Sequence, residues 1–109
     1  MEHGTDAEIP VGGWIPPETC GEILLADFLD PAGLTPYRLA KDIGVPQTYI
    51  AKILHGGGVS PEMGAKLDRY FGMSNGWWSH MQSDYDSRIA RRKIRDQLER
   101  IEPLKRRAD

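Results

Sequence analysis

Apolar positions along the chain recur at helical spacing, and caps, prolines and glycines punctuate nearly every boundary between them. In "TCGEILLADFLDPAG", residues 19–33, Thr19 stands three residues before Glu22 and predicts a capping box. Ile23, Leu24, Phe28 and Leu29 predict the apolar side of the helix that follows, and Asp30, Pro31 and Gly33 its end. A second helix is predicted from Thr35 as N-cap, with Pro36 in the first position, where a missing N–H costs nothing, to about Gly44. A third begins near Pro46 or Gln47 and stops in the "HGGG" of residues 55–58. The fourth has Ser60 as cap and Pro61 first, with Met63, Leu67 and either Phe71 or Tyr70 at helical spacing before Gly72. From Ser74 the pattern is helical again, with Trp78, Met81 and Tyr85 on one side, Ile94, Leu98 and Ile101 further along, and Pro103 as the stop. No stretch alternates with period two for long enough to make a strand. The predicted fold is all-α, with about five helices and an extended last one.

The second and third helices carry the most informative pattern. Leu39, Ala40, Val45, Ile50 and Ile53 are the positions that two short helices crossing steeply would bury against each other, as in a helix-turn-helix. Ala40 is small where the helices come close, and Gly44 supplies turn angles that other residues adopt only at a cost. Gln47, Thr48 and Lys52 are left on the outer side of the third helix, with Arg38 on the second. Glutamine suits adenine, threonine a hydroxyl contact or a thymine methyl, and lysine a guanine or a phosphate. Tyr49 has two readings, packed beneath its helix or facing a phosphate. Any two amphipathic helices joined by a glycine turn would share part of this pattern, and Gln, Thr and Lys are common surface residues, so the pattern alone favours DNA binding over a plain helix pair without deciding it.

Charge alters that picture only in part. The 109 residues carry a net −2, distributed as −4 over residues 1–18, −3 over residues 19–87 and +5 over residues 88–109. Net charge governs non-specific attraction to nucleic acid, whereas a recognition surface needs only local positive potential. The chain length suits one compact domain with a modest core, and the composition, 39% apolar and 28% charged, is that of an ordinary globule. We expect an acidic, mobile N-terminal arm over residues 1–18, a helix-turn-helix domain over residues 19–86, and a basic amphipathic helix with a frayed tail over residues 87–109. The run "EILLADFL" is too short to span a bilayer, the N-terminus lacks a basic start followed by an apolar block, and a single cysteine, Cys20, suits a reducing compartment. A cytoplasmic location is the expectation.

Other chemistry finds little support. His3, His55, His80 and Cys20 share no metal-ligand spacing, no nucleophile stands at a plausible spacing from a base, and "GGG" lacks the lysine and helix of a phosphate loop. Neither a cofactor nor catalysis is expected. Trp78 is predicted to be buried, and Trp77 to be a dimer or partner contact. "RIARRKIRDQLER", residues 88–100, has two readings: a solvated helix in which pairs such as Arg92 with Asp96 and Asp96 with Arg100 contribute a few tenths of a kcal/mol each, which is favoured, or a positive face that touches phosphates or an acidic partner. The stripe of Ile94, Leu98 and Ile101 is too long to stay uncovered on a monomer. With Met81 and Tyr85 it marks the expected interface.

The order Leu-Ala, three residues, Gly-Val, four residues, Ile resembles the helix-turn-helix of the phage-repressor (Xre) superfamily. More specifically, "CGEILLADFLDPAGLTPYRLAKDIGVP" through "ILHGGGVSPEMGAKLDRYFGMSNGWWSHMQSDYD", about two-thirds of the chain, resembles HigA-type antitoxins. The resemblance implies a five-helix repressor-like domain whose third helix enters the major groove. It places Gln47, Thr48 and Lys52 at bases, and Thr35 and Arg38 near the DNA backbone. It also implies a homodimer that represses its own operon and binds a small RelE-like mRNA-cleaving toxin. The chain departs from the family at Cys20, where proline is usual, at Pro36, often a polar phosphate-contacting residue, and at "GGG", often basic. Weaker binding, or greater dependence on dimer geometry, is the expected consequence. Two alternatives stand beside this reading: a regulator of the same fold without a toxin, and an interaction module that has lost DNA binding.

Overall fold

A computed structural model describes residues 13–105. Most of the predicted acidic arm, residues 1–12, and the end of the tail, residues 106–109, lie outside the described residues. Among those described the chain forms helices and no strand. Helix α1 is one continuous segment made of Cys20–Ile23, Leu24–Leu29 and Asp30–Ala32. It is followed by α2, Pro36–Ile43, α3, Gln47–Leu54, α4, Pro61–Phe71, α5, Trp77–Lys93, and α6, Arg95–Glu99.

The predicted caps set the boundaries. The Thr19 hydroxyl accepts from the Glu22 N–H at 3.1 Å while the Glu22 carboxylate accepts from the Thr19 N–H at 2.8 Å, closing the capping box. The Thr35 and Ser60 hydroxyls cap α2 and α4 by accepting from the Arg38 and Met63 N–H at 3.1 and 3.2 Å, without a reciprocal box, and each is followed by its proline. The middle of α1, Leu24–Leu29, winds as π-helix, a feature the apolar spacing did not predict. Pro31 has no N–H for the carbonyl of Asp27, and its ring crowds that carbonyl, so the preceding turn opens to i→i+5 bonding. Positions five apart would lie roughly 140° apart on an ordinary helix. The wider turn brings them together, and Leu24 and Leu29 are both fully buried.

Leu24, Leu29, Leu39, Ile50, Leu67 and Trp78, drawn from all of α1 to α5, form the centre of the core. Phe28 extends it, with its ring 4.8 Å from Phe71 and 5.0 Å from Trp78. Trp78 is buried as predicted, and its indole N–H has no acceptor among the described residues. A Cβ on Gly21 would collide with the carbonyl oxygen of Ile53, so this glycine lets α1 lie directly on the backbone of α3.

The predicted last helix requires two corrections. It starts at Trp77 rather than Ser74, because Gly76 turns the chain with φ of 87°. It also breaks at Ile94, where φ and ψ are −108° and 25°, giving α5 and α6 in place of one extended helix. In one continuous helix Arg88 and Arg92, and Arg91 and Arg95, would stand as like charges four apart, which weakens a helix by a few tenths of a kcal/mol per pair. Arg92–Asp96 straddles the break and Arg100 lies past the end of α6, so neither expected ion pair forms among the described residues. Instead Arg88 pairs with Asp84 at 3.0 Å, and Arg92 lies over the ring of Trp14, 5.2 Å from its centroid. The boundary expected at residues 86 and 87 falls inside α5.

Candidate nucleic-acid interface

Helices α2 and α3 meet through a tight turn built by the predicted residues. Gly44 takes left-handed angles, φ 74° and ψ 39°, which a residue with a Cβ adopts only with strain. The Gly44 N–H donates to the carbonyl of Lys41 at 3.3 Å and the Val45 N–H to that of Ala40 at 3.0 Å, which satisfies the last carbonyls of α2. Leu39, Ala40, Ile50 and Ile53 are buried beneath the turn and Val45 is half-buried, as a helix-turn-helix requires.

Ile50 and Ile53 turn inward, Leu54 packs against the same core, and the polar side of α3 faces out. At roughly 100° per residue, Thr48, Lys52 and His55 occupy the centre of the outward face, with Gln47 and Tyr49 on its two flanks. All five are exposed. Tyr49, open to two readings in the sequence, is 55% exposed and does not pack beneath its helix. His55, which the sequence offers no metal-ligand spacing, belongs to this outward face. It ends α3 with Nδ1 2.7 Å from the Ala51 carbonyl, and its place seven residues after Thr48 and three after Lys52 is the sequence signal for its outward position.

Thr35 is occupied as a cap, but its residue remains exposed at the start of α2. Arg38, one turn in, is held by Asp42: its Nε donates to both carboxylate oxygens, at 3.0 and 2.9 Å. The Tyr70 hydroxyl donates to the same carboxylate at 2.6 Å from the end of α4. That bond holds the Asp42 carboxyl below the usual carboxylate range, against partial desolvation and with help from Arg38, and it raises the Tyr70 phenol in turn. Behind α3, the Gln82 side chain accepts from the Val59 N–H at 2.9 Å and donates to Asp86 at 2.9 Å, fixing the loop that leaves the helix. Gly57 in that loop has no room for a Cβ against Lys52. Asp42 lies one helical turn from Arg38 and was legible as a partner. Tyr70 and Gln82 act across 28 and 23 residues, and no local spacing announces them.

The residues expected at an interface lie apart from this surface. Trp77, Met81 and Tyr85 are half-buried along one face of α5, with the Trp77 ring edge-on to Phe28 at 5.8 Å. Trp77 and Met81 also line an open groove of ≈ 590 Å³ with His80 and Asp84. Ile94 and Leu98 are half-buried at the break and in α6, and Ile101, beyond α6, is 65% exposed. Among the described residues no helix is long and apolar enough to cross a membrane.

The helix-turn-helix family model matches residues 25–78, from the π-helical turn to Trp78. Among solved structures, Pseudomonas aeruginosa antitoxin HigA with the higBA promoter is 33% identical, over 81% of this chain and 98% of that one, with a TM-score of 0.75. A Pseudomonas aeruginosa structure solved in complex with its 28-base-pair operator DNA is 34% identical over 81% of this chain and 99% of that one, with a TM-score of 0.76. The antitoxin HigA-1 of Vibrio cholerae is 27% identical over 88 residues, 81% of this chain and 84% of that protein. With its helix-turn-helix core and one-third identity across nearly the whole of a solved HigA, the chain belongs to the HigA antitoxin family.

Proposed function

We propose that this chain is a sequence-reading operator-binding antitoxin, with α3 as the helix that enters the major groove. The observation that carries the reading is the outward face of α3, where Gln47, Thr48 and Lys52 stand exposed on a helix fixed from behind by α1 and α2. Relatives that share this fold at one-third identity were solved with promoter or operator DNA, which supports the same role here. On this reading Gln47, Thr48 and Lys52 meet base edges, Tyr49 borders the phosphates, and Thr35 and Arg38 lie along the backbone. The operator is that of its own operon, and the chain acts as a homodimer in the cytoplasm. Two-fold symmetry then sets half-sites one helical turn apart, about 34–36 Å, or a multiple of it.

The second partner is a RelE-like mRNA-cleaving toxin, whose activity the antitoxin blocks. The resemblance to HigA antitoxins supports this part. Co-expression with the small protein of the adjacent gene tests it: a stable complex and relief of growth arrest are expected. Absence of both would leave a transcriptional regulator without a toxin.

The DNA reading is tested by titrating the protein against DNA from upstream of its own gene, at two salt concentrations and beside a scrambled competitor. Gln47→Ala and Lys52→Ala should each cost about 1–3 kcal/mol on operator if the side chain makes a good bidentate base contact. An equal loss on scrambled DNA would assign that residue to phosphate instead. Wild-type binding with no preference over scrambled DNA would overturn the reading.

A further inference from the structure

Arg38 is placed by more than its own helix. A surface Arg–Asp pair four residues apart is weak by itself, because two flexible side chains must be ordered to make it. Here the carboxylate is anchored a second time, by the Tyr70 hydroxyl at 2.6 Å, so α4 fixes a side chain of α2 that in turn fixes Arg38. The Arg38 side chain remains 65% exposed while that of Asp42 is 25% exposed. Only Nε of the guanidinium is engaged among the described residues, which leaves its two terminal amino groups free to bond elsewhere. A carboxylate beside a phosphate-binding arginine weakens the local field, but Lys66 and Arg69 line the same crevice as Asp42 and Tyr70 and keep that surface positive.

We propose that Asp42 and Tyr70 are positioning residues for DNA binding, which hold the Arg38 guanidinium in the pose that meets a backbone phosphate. The inference rests on the operator reading and adds two residues to it, neither of which touches DNA. The physical gain is preorganisation: an arginine already ordered in the free protein loses little rotamer freedom when a phosphate arrives.

A double-mutant cycle tests it, with operator and scrambled DNA titrated over a range of salt. Tyr70→Phe removes only the hydroxyl, and the ring keeps its edge-on contact with Phe71 at 5.1 Å, so the fold should persist; thermal melting of each variant checks this. Tyr70→Phe should weaken binding about two- to tenfold on both DNAs, the fold-change that corresponds to ordering one long side chain. Arg38→Ala should weaken both and lower the salt slope by about 0.9, one phosphate contact. In the Arg38→Ala background, Tyr70→Phe should have no further effect. A purely structural tyrosine would lower affinity equally in both backgrounds, and that result overturns the inference. So does an Arg38→Ala variant that binds like wild type. Wild-type protein that fails to prefer operator would overturn the operator reading itself and the inference with it.

Discussion

At Asp42 and Tyr70 two pKa shifts of opposite sign describe one bond. The Tyr70 hydroxyl bond and the Arg38 charge lower the carboxyl, while the carboxylate raises the phenol. A lowered folded-state pKa contributes stability that is present above the ordinary carboxylate value and lost as pH falls through the depressed one. A raised phenol contributes stability that is present below the ordinary tyrosine value and lost as pH rises through the elevated one. The bond is therefore at full strength across the neutral range. In an NMR titration, the Asp42 carboxyl of the Tyr70→Phe variant should titrate at higher pH than in wild type; identical titrations would show that the hydroxyl does not hold it. Cys20 is shifted for a different reason: burial pushes its thiol up, and the nearby Asp86 adds to the effect. It therefore stays protonated and packs as a small apolar side chain. At this scale the sequence displayed the caps and the outward face of α3, because those follow from residues three or four apart. It did not display Tyr70, whose partner is reached only through the packing of α4 on α2.

Among the elements, the start of α5 is the place where local signals misled. The helical pattern runs from Ser74, yet the group that caps α5 is Asp68, a buried carboxylate near the C-terminal end of α4 that accepts from the Gly76 N–H at 2.8 Å and the Trp78 N–H at 3.0 Å. A remote aspartate thereby does the work of an N-cap, and it locks α4 to α5 at the point where Gly64 lets them approach. Asp68→Ala should leave both N–H groups without this acceptor and cost about 2–3 kcal/mol, within the range for buried donors left unpaired. Asp68→Asn, which keeps one acceptor oxygen, should cost less. Urea denaturation of the two variants measures both, and equal stabilities would show that the carboxylate is not the cap. The π-helical turn of α1 is a second tertiary outcome: Pro31 forces the ladder open, and burial of Leu24 and Leu29 together makes the opened form the stable one.

For the whole molecule, charge and apolar surface are segregated. Nine of the fourteen basic residues follow residue 87, and within the acidic stretch of residues 19–87 the one charged side chain on α3 is Lys52, so that helix is locally positive in an acidic chain. Ile101 and Leu104 are 65% and 90% exposed just beyond α6, next to half-buried Leu98. Apolar side chains gathered like this at one end suit an interface with a second copy. Leu98→Glu with Ile101→Glu should shift the protein to monomer in analytical ultracentrifugation and weaken operator binding, since one half-site alone would then be held. A dimer that survives the double substitution would move the interface to the Trp77 and Met81 face of α5. What the sequence by itself determined was the helix count to within one, most of the helix ends, the helix-turn-helix with its buried and outward positions, and the family. Those are consequences of periodicity and of side chains bonding their own backbone. Only the tertiary structure decided the π-helical turn, the break at Ile94, the Asp68 cap and the Tyr70–Asp42–Arg38 chain. For the Asp68 cap and the Tyr70–Asp42–Arg38 chain the deciding partner lies on another helix, which no local pattern encodes; at the π-turn and the break the local signals, Pro31 and the clustered arginines, are present but do not fix how the backbone yields.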